Sequence, residues 1–253
     1  MYLHRQRSVI CPRSTSPTVI LAHGVGMWPG LFDPVIGAIA NHGDWGCRVW
    51  HRPGYDGRDA VASLGEQTQR LADLINDRAP AVVVGVSGGA TLALACAIDG
   101  VAGLAGLVTH EPLIGALEHE LDARVRGAAD ELFRWPSRSG AHDFLLGLYG
   151  EASWKTMPTT AQTWADDHYA VVCAEVRQFA LFQPALAQLQ NIAVPHVTTV
   201  GQNSGPERHR VASLLGHAGA SVRVIEGSGH LVAVDRPTSF AAQVNDLLQE
   251  VAL

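Results

Sequence analysis

Residues 82–94 place a serine where it could act as a nucleophile. An apolar, largely β-branched run leads into Ser87, and a run of small helix-forming residues follows it. The glycine–valine–serine–glycine–glycine pattern at residues 85–89 predicts a sharp strand-to-helix turn that lifts the serine hydroxyl into the open. Glycines give such a strained turn the room it needs. We therefore predict that Ser87 is a nucleophile, with an incidental glycine-rich turn as the alternative.

A serine hydroxyl needs a base to accept its proton, and histidine is suited to this near neutral pH. The chain has 12 histidines, so a lone histidine carries little information. His230 differs because it follows a predicted strand at residues 221–225 and a glycine-rich loop. A second glycine-rich loop, residues 23–30, follows the apolar run at residues 18–22. Ligands bind at such loops in parallel sheets.

These positions require a particular scaffold, and the alternation of apolar runs and helical patterns predicts it. Continuous apolar runs are typical of strands buried on both faces. Predicted strands cover residues 18–22, 47–51, 82–86, 104–109, 194–200 and 221–225, with a weak edge strand at 2–10. Predicted helices cover residues 31–42, 63–78, 90–98, 207–216 and 240–251. This order predicts an α/β fold with a doubly wound, mostly parallel sheet.

The alternation of strand and helix stops between residues 113 and 190, where helical patterns dominate. We predict an inserted helical cap over this segment, and a core domain made of residues 1–112 and 191–253. Aromatic side chains collect in the cap, and they either line a substrate pocket or only pack the cap itself. The candidate substrate contacts are Gly24, Trp28, Trp135, Trp154 and Trp164.

Composition excludes several classes of protein. The net charge is −6 over 253 residues with no block of like charge, which argues against a nucleic-acid partner. No run is long and apolar enough to span a membrane, so we expect a cytoplasmic protein; a homodimer is left open. The four cysteines are scattered and predict reduced thiols.

No ligand other than the substrate is expected. No glycine-rich nucleotide-binding loop follows a strand, so we expect no nucleotide cofactor. Residues 118–120 read Glu-His-Glu, but alternate residues of a helix do not share a face. That segment therefore predicts a solvated helix and not a metal site.

The order of the three motifs resembles the α/β-hydrolase superfamily, and the resemblance covers essentially the whole chain. It rests on the His-Gly-Val-Gly loop at residues 23–26, the serine turn at 85–89 and the Gly-His pair at 229–230. The resemblance implies that Ser87 is the nucleophile and His230 its base. It also implies that the backbone N–H groups of Val25 and Gly88 form the oxyanion hole.

The third member of a triad does not follow from these three motifs. Many superfamily members carry an aspartate shortly after the glycine that follows the penultimate strand, but residues 201–206 contain no acid. Glu111, in the segment His-Glu-Pro-Leu at residues 110–113, follows the strand next to the serine strand. This arrangement resembles the subgroup that includes the fungal zearalenone lactone hydrolase, which implies Glu111 as the acid. Capping of the first cap helix is the alternative, and Asp56, Asp59 and Asp235 are the next candidates.

The sequence therefore predicts a cofactor-free serine hydrolase that acts on a small apolar ester or lactone. A carbon–carbon bond hydrolase with the same triad is an alternative that only product analysis separates from it. A non-catalytic receptor on the same fold is a second alternative, because fold does not fix function. The intact Ser87 and His230 motifs argue against a receptor.

Overall fold

The structure, a computed structural model, describes residues 17–40, 43, 45–55, 57 and 62–252. Within these residues, six strands form a sheet in the order β2-β1-β3-β4-β5-β6, and every neighbouring pair is parallel. The strands are β1 (Thr18–Ala22), β2 (Cys47–Trp50), β3 (Ala81–Val86), β4 (Leu104–His110), β5 (His196–Gly201) and β6 (Ser221–Ile225). The predicted α/β fold with a parallel sheet is confirmed.

Strand β3 is the most buried strand of the sheet, because all six of its residues are buried. Its β-branched side chains suit a pleated surface covered on both faces. The helix that follows, α3 (Gly88–Ile98), is buried along nearly its whole length, and its alanines allow close packing on β3 and β4. The serine turn between β3 and α3 therefore lies at the centre of the molecule.

Right-handed crossovers place helices on both faces of the sheet, because the chain moves outward from β1 to β2 and then in the opposite direction from β2 to β3. Helix α1 packs on α12, and α2 packs on α3. The core helices are α1 (Asp33–Ala40), α2 (Leu64–Asp77), α3, α10 (Pro206–His217), α11 (Val232–Asp235) and α12 (Pro237–Val251). The segment between β4 and β5 contains helices and no strand. Its helices are α4 (His119–Arg134), α5 (Arg138–Tyr149), α6 (Glu151–Thr156), α7 (Thr159–Asp167), α8 (Tyr169–Ala180) and α9 (Leu186–Gln190).

Element boundaries differ from the predictions by a few residues. A 3₁₀ turn, Pro29–Phe32, precedes α1, so this helix begins later than predicted. Helix α2 begins after Ser63 because Ser63 and Glu66 form a reciprocal capping box. The predicted edge strand at 2–10 and the acids Asp56 and Asp59 lie outside the described residues. Among the described helices, none combines the length and hydropathy that a membrane crossing requires.

Candidate active site

Ser87 lies at the turn between β3 and α3 with φ 55° and ψ −120°, a conformation that non-glycine residues rarely adopt. Its backbone N–H donates a hydrogen bond of 2.8 Å to the carbonyl of His110, which anchors the turn to the end of β4. Such strain persists only where the surrounding structure enforces it, and it occurs frequently at functional sites.

The glycines around Ser87 are explained by close backbone approach. A Cβ on Gly85 would lie 2.5 Å from Cα of Ala90, and a Cβ on Gly89 would lie 2.1 Å from the carbonyl oxygen of Ala22. No side chain fits either position. The glycines at positions 85 and 89 are therefore required by the packing of β1, β3 and α3 around the turn.

The loop after β1 lies directly against the serine. A Cβ on Gly24 would be 3.0 Å from Cβ of Ser87 and 3.6 Å from its Oγ. A Cβ on Gly88 would be 2.9 Å from the Phe179 ring and 3.3 Å from Cγ2 of Val25. Val25 and Gly88 are therefore neighbours beside Ser87. The N–H of Gly88, in the first turn of α3, has no partner within the helix.

Glu111 follows β4 and is almost completely buried, with a left-handed backbone φ of 45°. Its Oε2 accepts a hydrogen bond of 2.6 Å from Nδ1 of His230. Its Oε1 accepts one of 2.9 Å from the N–H of Gly201 and another from the hydroxyl of Ser204. Arg208 lies 3.8 Å from the carboxylate and donates to the Glu111 carbonyl at 3.1 Å.

These contacts define the protonation states of the pair. Burial by itself would raise the pKa of Glu111, but His110, His230 and Arg208 outweigh it and hold that pKa well below its ordinary value. Burial, together with the charge of Arg208, lowers the pKa of His230 to about 4, although Glu111 opposes this shift. At neutral pH a carboxylate therefore faces a neutral imidazole. Because Nδ1 carries the proton donated to Glu111, Nε2 is left as a proton acceptor.

Ser87 and His230 both contact the chain at the end of β4. Ser87 bonds the carbonyl of His110, and His230 bonds the side chain of Glu111, the next residue. Ser87 Oγ and His230 Nε2 are both buried, and neither has a hydrogen-bond partner among the described residues. Buried polar atoms without partners are rare in folded proteins and call for an explanation.

A cavity of about 300 Å³ lies between α4, α5 and α8, and the cluster of Ser87, Glu111 and His230 contributes none of its lining residues. Its apolar wall is formed by Leu113, Leu121, Val125, Phe144, Leu148 and Val176. Arg208 also lines it and connects it to Glu111. Apart from Leu113, which belongs to the segment at residues 110–113, none of these residues was predicted to belong to the site. The apolar spacing of Leu121, Val125 and Ala128 along α4 was the available signal.

Of the predicted tryptophan contacts, Trp154 reaches the cluster through Tyr149, whereas Trp164 packs on His168; neither lines this cavity. Trp154 stacks on Tyr149 with ring centroids 6.2 Å apart, and Tyr149 stacks in the same way on His230. The ring of Trp164 lies 4.0 Å from that of His168, and its Nε1 is buried without a partner among the described residues.

The other two tryptophans are not brought into the cluster. Trp28 packs over Gly30 at the start of the 3₁₀ turn, where a Cβ on Gly30 would meet its ring at 2.5 Å. Trp135 follows α4 and is 76% exposed, so it packs neither the cavity nor the interior of the helical segment. Asp235 accepts hydrogen bonds from Ser153 and from the N–H of Gly229, and not from His230.

Comparison with known proteins identifies a family for the chain. Residues 19–243 match the alpha/beta hydrolase family. No curated protein matches the chain. Among solved structures, the chain is similar to a thermophilic esterase from Thermogutta terrifontis, with 19% identity, a TM-score of 0.74, and coverage of 94% of this chain and 92% of the esterase.

Two further solved structures resemble the chain. One is an enol-lactonase from Burkholderia xenovorans LB400, with 17% identity, a TM-score of 0.71, and coverage of 92% of both chains. The other is a carboxylesterase from Bacillus subtilis, with 17% identity, a TM-score of 0.72, and coverage of 94% of this chain and 85% of the esterase. At these identities the likeness shows the shared fold alone.

Proposed function

Because the chain belongs to the alpha/beta hydrolase family, we propose that it is a cofactor-free serine hydrolase of apolar carboxylic esters or lactones. The observation that carries the proposal is the buried hydrogen bond from His230 to Glu111 beside the strained turn of Ser87. A base held by a carboxylate beside a serine hydroxyl is the general requirement for nucleophilic catalysis by serine.

In the proposed acylation step, Oγ of Ser87 attacks the substrate carbonyl carbon while Nε2 of His230 takes the hydroxyl proton. The negative charge that develops on the carbonyl oxygen is stabilised by the N–H groups of Val25 and Gly88, each worth about 3 kcal/mol by analogy with other oxyanion holes. The imidazolium then protonates the leaving alkoxide, which departs as an alcohol. Water, activated by His230 in the same way, hydrolyses the acyl-enzyme and restores Ser87.

Glu111 is the proposed acid of the triad. As His230 gains a proton, its hydrogen bond to Glu111 becomes charge-assisted and stabilises the imidazolium. Ser204 stands in the loop where many family members carry an aspartate, and here its hydroxyl donates to Glu111. A serine in that loop, together with an acid after β4, supports the narrower resemblance to the zearalenone lactone hydrolase subgroup.

The cavity supports an apolar substrate. Its wall is predominantly aliphatic and aromatic, and burial of apolar surface contributes about 25 cal/mol per Å² to binding before entropic costs. Trp164 does not line this cavity, but its buried N–H has no partner among the described residues, and its role as a substrate contact stays a prediction. The names of the similar solved structures, two esterases and an enol-lactonase, agree with this substrate class.

The test is a panel of acyl esters, lactones and β-diketones of graded size, assayed with the wild-type protein and with Ser87→Ala. We expect ester or lactone hydrolysis by the wild type, and a loss of about a millionfold in kcat in the variant. Cleavage of diketones alone, identified by its products, would support the carbon–carbon hydrolase instead. No turnover of any substrate would favour a receptor.

A further inference from the structure

An ion pair between Arg52 and Glu175 joins the core to the helical segment, and both side chains are completely buried. Arg52 follows β2, and Glu175 lies on α8. Removing two charges from water costs several kcal/mol per ion unless hydrogen bonds compensate. Here Nε and Nη2 of Arg52 donate to Oε1 of Gln67 at 3.1 and 3.0 Å, and the hydroxyl of Tyr55 donates to Glu175 at 2.6 Å.

Arg52 and Tyr55 also hold the loop that carries Val25. Nη1 of Arg52 donates to the carbonyl of His23 at 3.0 Å. The N–H of Gly26 donates to the hydroxyl of Tyr55 at 2.8 Å. The loop is thus held on both sides of Val25, by two side chains that both bind Glu175.

Glu175 also sets the direction of the Tyr55 hydrogen bonds. A tyrosine hydroxyl has one proton, and Tyr55 donates it to the carboxylate of Glu175. The hydroxyl oxygen is then free to accept the N–H of Gly26. An uncharged acceptor in place of Glu175 would weaken this order, because hydrogen bonds to ionised groups are roughly twice as strong as neutral ones.

Helix α8 reaches the second proposed oxyanion donor as well. Phe179 lies four residues after Glu175, on the same face of the helix. The guanidinium of Arg52 lies 5.3 Å from the centre of its ring, and the ring packs where a side chain of Gly88 would stand. One face of α8 therefore backs both Val25 and Gly88.

We propose that Glu175 is a positioning residue that sets the oxyanion hole through Arg52 and Tyr55. Helix α8 then forms a fixed wall of the catalytic centre, although it belongs to the helical segment between β4 and β5 and not to the core. The inference rests on the proposed function, because it assigns a role to the N–H groups of Val25 and Gly88.

The test uses Tyr55→Phe, Glu175→Gln and the double variant, assayed on an ester that the wild type hydrolyses. Each single variant should lower kcat by about 10- to 100-fold, less than the loss of a whole oxyanion donor, and leave KM within about threefold. The kcat of the double variant should lie within about threefold of that of the slower single variant. The two losses should not multiply, because both changes disrupt the same hydrogen-bond network. Glu120→Gln is the control, since it also removes an ion pair between the helical segment and the core, at an exposed site.

Stability is measured in parallel by thermal unfolding. Tyr55→Phe keeps the ion pair and should fold, so it decides the question if Glu175→Gln does not fold. A folded Tyr55→Phe with wild-type kcat would overturn the proposal, as would an effect on KM alone or multiplicative losses in the double variant. A wild type without hydrolase activity would overturn the proposed function itself, which separates the two failures.

Discussion

Nδ1 of His230 lies 2.6 Å from Oε2 of Glu111, although 119 positions separate the two residues in the chain. Both side chains are buried, so the pair is removed from competing water. In this environment a change in the charge of either residue strongly alters the free energy of ionisation of the other. The first prediction follows from this coupling.

Glu111→Gln should lower kcat by about a thousandfold or more, because the amide keeps the shape but removes the charge that stabilises the imidazolium. Ser204→Ala is the matched control. It removes a hydrogen bond to the same carboxylate while the N–H of Gly201 still holds it, so its effect should be far smaller. Steady-state kinetics of both variants give the comparison. Activity of Glu111→Gln within about threefold of wild type would place the acid elsewhere, with Asp235 tested next.

The pH dependence should report the environment of His230. The base works only when neutral, and burial with Arg208 lowers the pKa of His230 to about 4. Therefore kcat/KM for a non-ionisable ester should be level from neutral pH down to about 5, and should fall about tenfold per pH unit below the pKa. Circular dichroism at each pH checks that the protein remains folded.

The variant Arg208→Gln provides the corresponding control. Removal of this charge should raise the pKa of His230, so the acid limb of kcat/KM should move to higher pH. A wild-type limb near the ordinary histidine value of about 6.5 would mean that His230 is solvated and not buried.

Much of the scaffold could be predicted from local patterns. The runs at residues 18–22 and 82–86 are continuous and apolar, which indicates strands buried on both faces, and their glycine-rich ends mark the loops around Ser87. Glu111 was reached by the absence of an acid at residues 201–206, and the structure brings its carboxylate to His230. Its catalytic role stays a prediction.

The cavity between α4, α5 and α8 and the surroundings of the loop at residues 23–26 could not be predicted in this way. They depend on how α4, α5 and α8 pack against the core, and the contact from Tyr55 to Glu175 spans 120 positions. Nor does composition indicate which aromatic side chains of residues 113–190 face inward. Trp135 is highly exposed, whereas Phe144, which was not among the predicted substrate contacts, lines the cavity.

Phe144→Ala should impair hydrolysis of bulky apolar esters more than that of a small acetate ester. The ring lines the cavity, and its removal should cost about 1–3 kcal/mol of binding for substrates long enough to reach it, or about 5- to 150-fold in kcat/KM. Phe133→Ala is the matched control, because Phe133 is 58% exposed. Equal losses on both substrates would show that Phe144 only packs the helical segment.

The central claim is that Ser87 is a nucleophile activated by His230, and covalent labelling tests it most directly. The folded protein is treated with a fluorophosphonate, and the adduct is located by mass spectrometry of the intact chain and its peptides. We expect one phosphonyl group per chain, on Ser87, none in Ser87→Ala, and labelling slowed by orders of magnitude in His230→Gln. The account would be contradicted by an unlabelled wild type, or by an adduct that forms equally well in Ser87→Ala.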